Sequence, residues 1–168
     1  MGSRDVRSVY NGIFRDTFRI WLKKPYNAVQ TGKGFNRVKA LKLDVDVRSP
    51  AVARRDPEFQ QGIACGRFSD GYLLVITPGS GSALIRHQHN EAEETIATAF
   101  PPNAIKKPPQ VNHLRAVCST RNDTTSVGLW VNGKRVAHAI DPDGPSSFDQ
   151  FPFMERTATH QLLLSSTT

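Results

Sequence analysis

A chain of 168 residues is long for one small domain and short for two, so a single domain over residues 1–168 is expected. Its hydrophobic fraction of 38% exceeds that of a disordered chain, and no apolar run approaches the roughly 20 residues that cross a bilayer. Membrane insertion is therefore not expected. Lys and Arg number 22 against 15 Asp and Glu, a formal net charge of +7, which favours an anionic neighbour about as much as plain solubility.

The elements come in a regular order. The first 35 residues are the least patterned; Phe14, Phe18, Ile20, Trp21 and Leu22 supply apolar side chains for a core. VKALKLDVDV, Val38 to Val47, puts Leu41, Leu43, Val45 and Val47 on one face and Lys42, Asp44 and Asp46 on the other, as a half-buried strand requires. Gly62 to Arg67 reads as a strand, Asp70-Gly71 as a turn, and Tyr72 to Thr77 as the next strand. Pro78-Gly79-Ser80-Gly81 turns into Ala83 to His89. Glu91 to Ala99 fits either a short helix or a strand over Thr95 to Ala99, and the prolines that follow break regular structure. Leu114 to Ser119, Ser126 to Val131 and Lys134 to Ile140 are strands. Asn132-Gly133 joins the last two as the preferred pair of a type I′ hairpin, since both residues accept positive φ. Asp141 to Ser147 is a Pro/Gly-rich loop, and Leu162 to Leu164 offers one more strand. Many short strands separated by turns describe an all-β, two-sheet antiparallel sandwich or jelly roll.

Two cysteines, Cys65 and Cys118, occur with no CxxC and no Cys/His cluster, which excludes the common structural zinc patterns. They form either a disulfide or two buried thiols, and composition does not choose. The start MGSRDV has no signal-peptide core, and Met1-Gly2-Ser3 reads as a cloning remnant on an excised domain, so its lack of a targeting sequence leaves location open.

From Gly62 to Cys65, Asn112 to Cys118 and Trp130 to Gly133, the chain resembles the concanavalin A-like lectin/glucanase superfamily, in its laminin-G-type jelly roll and its non-catalytic bacterial members. The resemblance rests on a Gly-hydrophobic-x-Cys strand followed by a hairpin, an Asn-x-Leu-Arg-x-x-Cys strand, and a strand ending in aromatic-Val-Asn-Gly. It covers roughly Leu41 to Asp141. An opening strand near Ile13 to Phe18 is only faint, and a closing strand is hard to find in PSSFDQFPFMERTATHQLLLSS. The resemblance implies that Cys65 and Cys118 pair, and a disulfide in turn implies an extracytoplasmic or secreted setting.

Glycosidases of that superfamily need two carboxylates flanking the scissile bond, as in a Glu-x-Asp-x-x-Glu strand motif. No such motif occurs. Asp44 and Asp46 share a strand face and read as solvated charges, while Glu91, Glu93 and Glu94 lie in a loop-like stretch. The expected chain is thus not an enzyme. His87 and His89 alternate on one strand face and are able to ligate a metal, with His113 or His138 as distant candidates for a third ligand. Exposed strand histidines are the commoner outcome of such a pattern. Asp141-Pro142-Asp143-Gly144 is a conceivable calcium loop that reads better as a turn with solubilising acids. No metal or cofactor is therefore expected.

Trp130 has Leu129 and Val131 on either side, and branched aliphatics pack readily between sheets. Trp130 then stands on the outer face, with Arg115 and Val117 beside it on the adjacent strand, or lies covered by a loop such as PPNAIKKPP. An indole with Arg or His donors suits a sugar ring, whose C–H face packs on the aromatic while its hydroxyls take hydrogen bonds. The reading is a non-catalytic extracytoplasmic binding domain for carbohydrate, an acidic surface polymer or another cell-surface macromolecule. Trp130 is the expected platform, with Arg115, Arg86 and His87 as polar contacts. The alternative is a structural or protein-interaction module of a larger surface or secreted protein. Specific nucleic-acid binding is not expected, because the basic residues are scattered, with Lys23-Lys24, Arg54-Arg55 and Lys106-Lys107 among the adjacent pairs.

Overall fold

A computed structural model describes residues 13–14, 17–18, 37–67, 69–90, 92–148 and 153–156. Its strands are β1 (Ile13–Phe14), β2 (Thr17–Phe18), β3 (Ala40–Arg48), β4 (Gln60–Arg67), β5 (Asp70–Thr77), β6 (Ser82–His89), β7 (Ala92–Ala99), β8 (Val111–Arg121), β9 (Thr124–Val131), β10 (Lys134–Asp141) and β11 (Phe153–Arg156). One 3₁₀ turn spans Ala51–Arg54. β10-β9-β8-β3 form a four-stranded sheet and β11-β4-β5-β6-β7 a five-stranded one, with β1 and β2 paired separately. Every pairing between these strands is antiparallel. The chain is an all-β sandwich, as its short alternating strands predict.

The alternation along each strand decides what the sheets bury. In β8, Asn112, Leu114, Ala116, Cys118 and Thr120 are buried, while His113, Arg115, Val117 and Ser119 between them are half-exposed. Leu114, Ala116 and Cys118 join Val127, Leu129 and Val131 of β9 and Val45 and Val47 of β3. They meet Ile63 and Cys65 of β4, Tyr72, Leu74 and Ile76 of β5, and Ala83 and Ile85 of β6 in one core. Leu74, Leu114 and Leu129 are each 0% exposed, and burying such a side chain contributes about 2 kcal/mol. Through the middle of this core runs the Cys65–Cys118 disulfide, with its Cα atoms 6.5 Å apart, joining the inner faces of the two sheets. The expected pairing of the two cysteines is present.

Several expectations are adjusted. Asp70 and Gly71 open β5 instead of forming the turn before it. The ambiguous stretch after residue 90 is a strand, β7, because it completes the ladder beside β6. β1 and β2 occupy the region of the faint opening strand, and β11 supplies the fourth neighbour-pairing of the five-stranded sheet, against β4. The packing expected of the Phe14, Phe18, Ile20, Trp21 and Leu22 side chains and the strand expected at Leu162 to Leu164 fall outside the described residues. The Asn132-Gly133 turn has φ of 50° and 83°, the positive values a type I′ hairpin demands. Among the described residues, no helix is long and apolar enough to cross a membrane.

The motif residues Asn112 and Asn132 work at one end of the sandwich. Asn112 Oδ1 accepts from the Lys106 backbone N–H at 2.8 Å, and its Nδ2 donates to the Lys106 carbonyl at 2.9 Å. Asn132 Nδ2 donates to the Ala104 carbonyl at 2.8 Å and to Asn112 Oδ1 at 2.9 Å. The Pro-rich segment is thereby tied across that end of the core, with Ala104 and Pro108 buried. These side chains satisfy backbone groups that would otherwise be stranded in a loop without regular pairing.

Candidate functional site

The outer face of the four-stranded sheet follows from register. Asp44, Arg115, Trp130 and Arg135 stand side by side across β3, β8, β9 and β10. The next row is Lys42, Val117, Gly128 and His138, and beyond it Ser119, Ser126 and Ile140 line up. Leu129 and Val131 are 0% exposed and point inward, so Trp130 faces outward and is partly exposed. Arg115 and Val117 flank it, as the sequence suggests.

The indole does not stand upright. A Cβ built on Gly128 would lie 2.6 Å from Trp130 Cζ3 and 2.8 Å from Cη2, so the ring leans back along β9 over the glycine. Strand side chains lean this way, and only a residue with no Cβ leaves the space. An apolar strip of Val117, the indole and Ile140, which is 67% exposed, is bordered by Arg115, Arg135, Lys42 and His138. Arg135 is absent from the contacts expected of the sequence, although a two-residue turn at Asn132-Gly133 pairs Val131 with Lys134 and so Trp130 with Arg135. His138 has a weaker signal still, since a register shift between Arg135 and Ala137 moves it opposite Gly128.

Asp44 and Asp46 lie on the solvent side of β3, as expected, and are in addition tied to charges on β8. Arg115 Nε donates to Asp44 Oδ1 at 2.7 Å. His113 lies between two carboxylates, its Nε2 3.1 Å from Asp44 Oδ1 and its Nδ1 2.8 Å from Asp46 Oδ1. Burial works against ionisation of Asp44, but hydrogen bonds from Arg115 and His113 and their positive charge prevail, holding its pKa below the ordinary 3.8. A lowered folded pKa gives stability that is complete above 3.8 and is lost as pH falls through the folded value. Asp44→Asn is therefore expected to lower the unfolding midpoint at neutral pH, and the difference from wild type is expected to close in acid. Denaturant unfolding at several pH values checks this, and a gap that stays constant into acid would contradict it.

Two expected contacts lie elsewhere. Arg86 and His87 belong to β6 of the other sheet, so neither shares a face with Trp130. Local alternation shows which residues of a strand go together, but not which sheet the strand joins. Arg86 pairs across from Leu73 on the outer side of the five-stranded sheet, where its Nη1 meets Glu93 Oε1 at 2.7 Å. That side also holds a small apolar cluster of Ala64, Leu73 and Val75, with Leu84 against it. His87 faces inward beside Tyr72, the rings stacked with centroids 4.9 Å apart. Its Nδ1 lies 2.9 Å from Asp141 Oδ2, the same oxygen that accepts the Tyr72 hydroxyl at 2.9 Å. Burial and this bond to Asp141 push the Tyr72 pKa up, keeping its proton in place as donor. Asp141 Oδ1 also accepts the Asp143 backbone N–H at 2.9 Å, so the loop read as a conceivable calcium site is an Asx turn clasped to the opposite sheet.

No protein-family model matches the chain, and no curated protein matches it in sequence. Among solved structures it is similar to the carbohydrate binding module CBM66 from Bacillus subtilis, at 18% identity and a TM-score of 0.48, covering 75% of this chain and 68% of that one. The likeness is too distant to bear on the ligand.

Proposed function

We propose that the chain is a non-catalytic, extracytoplasmic binding domain that takes a carbohydrate chain or acidic surface polymer across the outer face of its four-stranded sheet. The observation that carries this reading is the indole of Trp130 leaning over Gly128 between Arg115 and Arg135. A tilted aromatic gives a sugar ring an apolar surface, while guanidinium groups on both sides donate to hydroxyl, carboxylate or sulfate oxygens. The strip continues past Val117 to Ile140, so the face accommodates more than one sugar unit in line. Asp44 and Asp46 are engaged by Arg115 and His113, an arrangement suited to holding Arg115 in place rather than to acid–base work on a glycosidic bond. The inter-sheet disulfide supports an oxidising setting.

A glycan array of neutral and acidic oligosaccharides tests the proposal, followed by calorimetry on any hit. Trp130→Ala is expected to weaken binding at least about tenfold, the loss of a stacking surface worth on the order of 1.4 kcal/mol. Arg135→Ala is expected to weaken it less, and Arg86→Ala, on the other sheet, to leave it unchanged. Binding that survives Trp130→Ala in a folded variant would overturn the site. A wild-type domain that binds no glycan would favour the protein-interaction module instead.

A further inference from the structure

The five-stranded sheet carries a second group of polar side chains, remote from Trp130. β5 and β6 are antiparallel with Asp70 opposite His89 and Tyr72 opposite His87. His87 and His89 are two apart on one strand, so they share a face, and the ladder brings Asp70 onto that face from the neighbouring strand. Asp70 Oδ1 lies 3.9 Å from His87 Nε2 and 3.7 Å from His89 Nδ1, and all three ligand atoms fall within 4.8 Å of one another.

We infer that Asp70, His87 and His89 form a binding site for a divalent transition-metal ion of the zinc class. Four features support it. Two imidazoles and a carboxylate are the donor set such borderline ions take, with oxygen-seeking magnesium and calcium disfavoured. His87 is held in the tautomer that coordination needs. Its Nδ1 faces the Asp141 carboxylate, an acceptor, so Nδ1 carries the proton and Nε2 presents its lone pair. That Nε2 is buried and has no hydrogen-bond partner among the described residues, while the His87 side chain is only 11% exposed. A buried acceptor without a partner is costly, and a metal ion satisfies it. Finally, bonds of about 2.1 Å in tetrahedral geometry put ligand atoms about 3.4 Å apart. The remaining closure falls to Asp70 and His89, whose side chains are 49% and 62% exposed and free of the tight packing that holds His87.

One local change goes with it. Asn90 Nδ2 lies 2.8 Å from His89 Nε2. Coordination through Nδ1 puts the His89 proton on Nε2, and rotating the Asn90 amide turns its Oδ1 to accept that proton. Three protein ligands leave a fourth position toward solvent for a water or a ligand oxygen. Linear spacing shows the two histidines; Asp70 is the missing third, invisible until the register of β5 and β6 is known.

Titration of the chelator-stripped domain with Zn²⁺, followed by calorimetry, tests the site, with Co²⁺ absorption as a spectroscopic probe of coordination. The expected result is one ion per chain at micromolar affinity or tighter, and a rise in melting temperature on adding Zn²⁺. His89→Ala and Asp70→Ala, both at exposed positions, are expected to weaken binding at least about tenfold and abolish the rise. His138→Ala, on the other sheet, is expected to change neither. No saturable binding up to about 1 mM Zn²⁺, or unaltered binding in both variants, would overturn the inference.

Discussion

Breaking the Cys65–Cys118 bond is expected to lower the stability of the domain by about 4 kcal/mol. The bond closes a loop with a sequence separation of 53 residues, and in the chain-entropy picture an open loop of that length gains this much freedom when unfolded. Both cysteines are 0% exposed in the centre of the core, so reduction alone leaves the apolar contacts in place and isolates the effect of the link. Denaturant unfolding with and without reductant measures it directly. The Cys65→Ala, Cys118→Ala double variant is expected to lose more, because removing two buried sulfur atoms adds a cavity cost. An unfolding midpoint that reductant does not move, with thiol titration showing complete reduction, would mean the bridge adds little to what the β-sheets already hold. A small domain with that result would also lose its main argument for an oxidising compartment.

Asp141→Ala is expected to be the most damaging single polar substitution among the described residues. Asp141, 8% exposed, is the last residue of β10, and its carboxylate reaches across to the other sheet. Its removal strands the Tyr72 hydroxyl and His87 Nδ1, both of which point at Oδ2, and frees the Asp143 N–H that closes the following turn. Each buried donor left without an acceptor costs about 1–3 kcal/mol, so the Tyr72 hydroxyl and His87 Nδ1 together account for about 2–6 kcal/mol. Tyr72→Phe removes one donor and leaves the other two satisfied, with an expected cost near 1 kcal/mol. The order of the two variants is the informative result. If Tyr72→Phe costs as much as Asp141→Ala in equilibrium unfolding, the carboxylate is not the centre of the clasp.

Much of the fold is legible because its signals are local. Leu41, Leu43, Val45 and Val47 alternate with charges, and β3 turns that set to the core, with Val45 and Val47 buried and Leu41 and Leu43 partly so. Asn132-Gly133 fixes the hairpin of β9 and β10, and through it the partner of Trp130. The outward position of Trp130 follows from its neighbours Leu129 and Val131, since a strand face is decided by parity. Glu91 to Ala99 is ambiguous as a sequence because its alanines and glutamates favour a helix while its threonines and isoleucine favour a strand; the free edge of β6 settles it.

The site is legible only in part. Arg115 stands beside Trp130 as expected, because the Asn112 to Cys118 strand precedes β9 and a short turn joins them. Arg86 and His87 do not reach that face, because parity within β6 carries no information about which sheet β6 enters. Asp70 and Asp141 have no local signal at all. Each acts through a partner on another strand, Asp70 by pairing with His89 and Asp141 by reaching Tyr72 and His87 from the opposite sheet.

Taken alone, the amino-acid order determined the strand class, the principal turns, and the inward or outward parity of individual side chains, all properties of a few consecutive residues. Only the three-dimensional arrangement decided which strands became neighbours, and hence that Arg135 borders the indole, that the thiols at 65 and 118 meet, and that two histidines gain an aspartate. Those outcomes depend on register and on the contact of distant segments, which are set by how the sheets bury their apolar faces together.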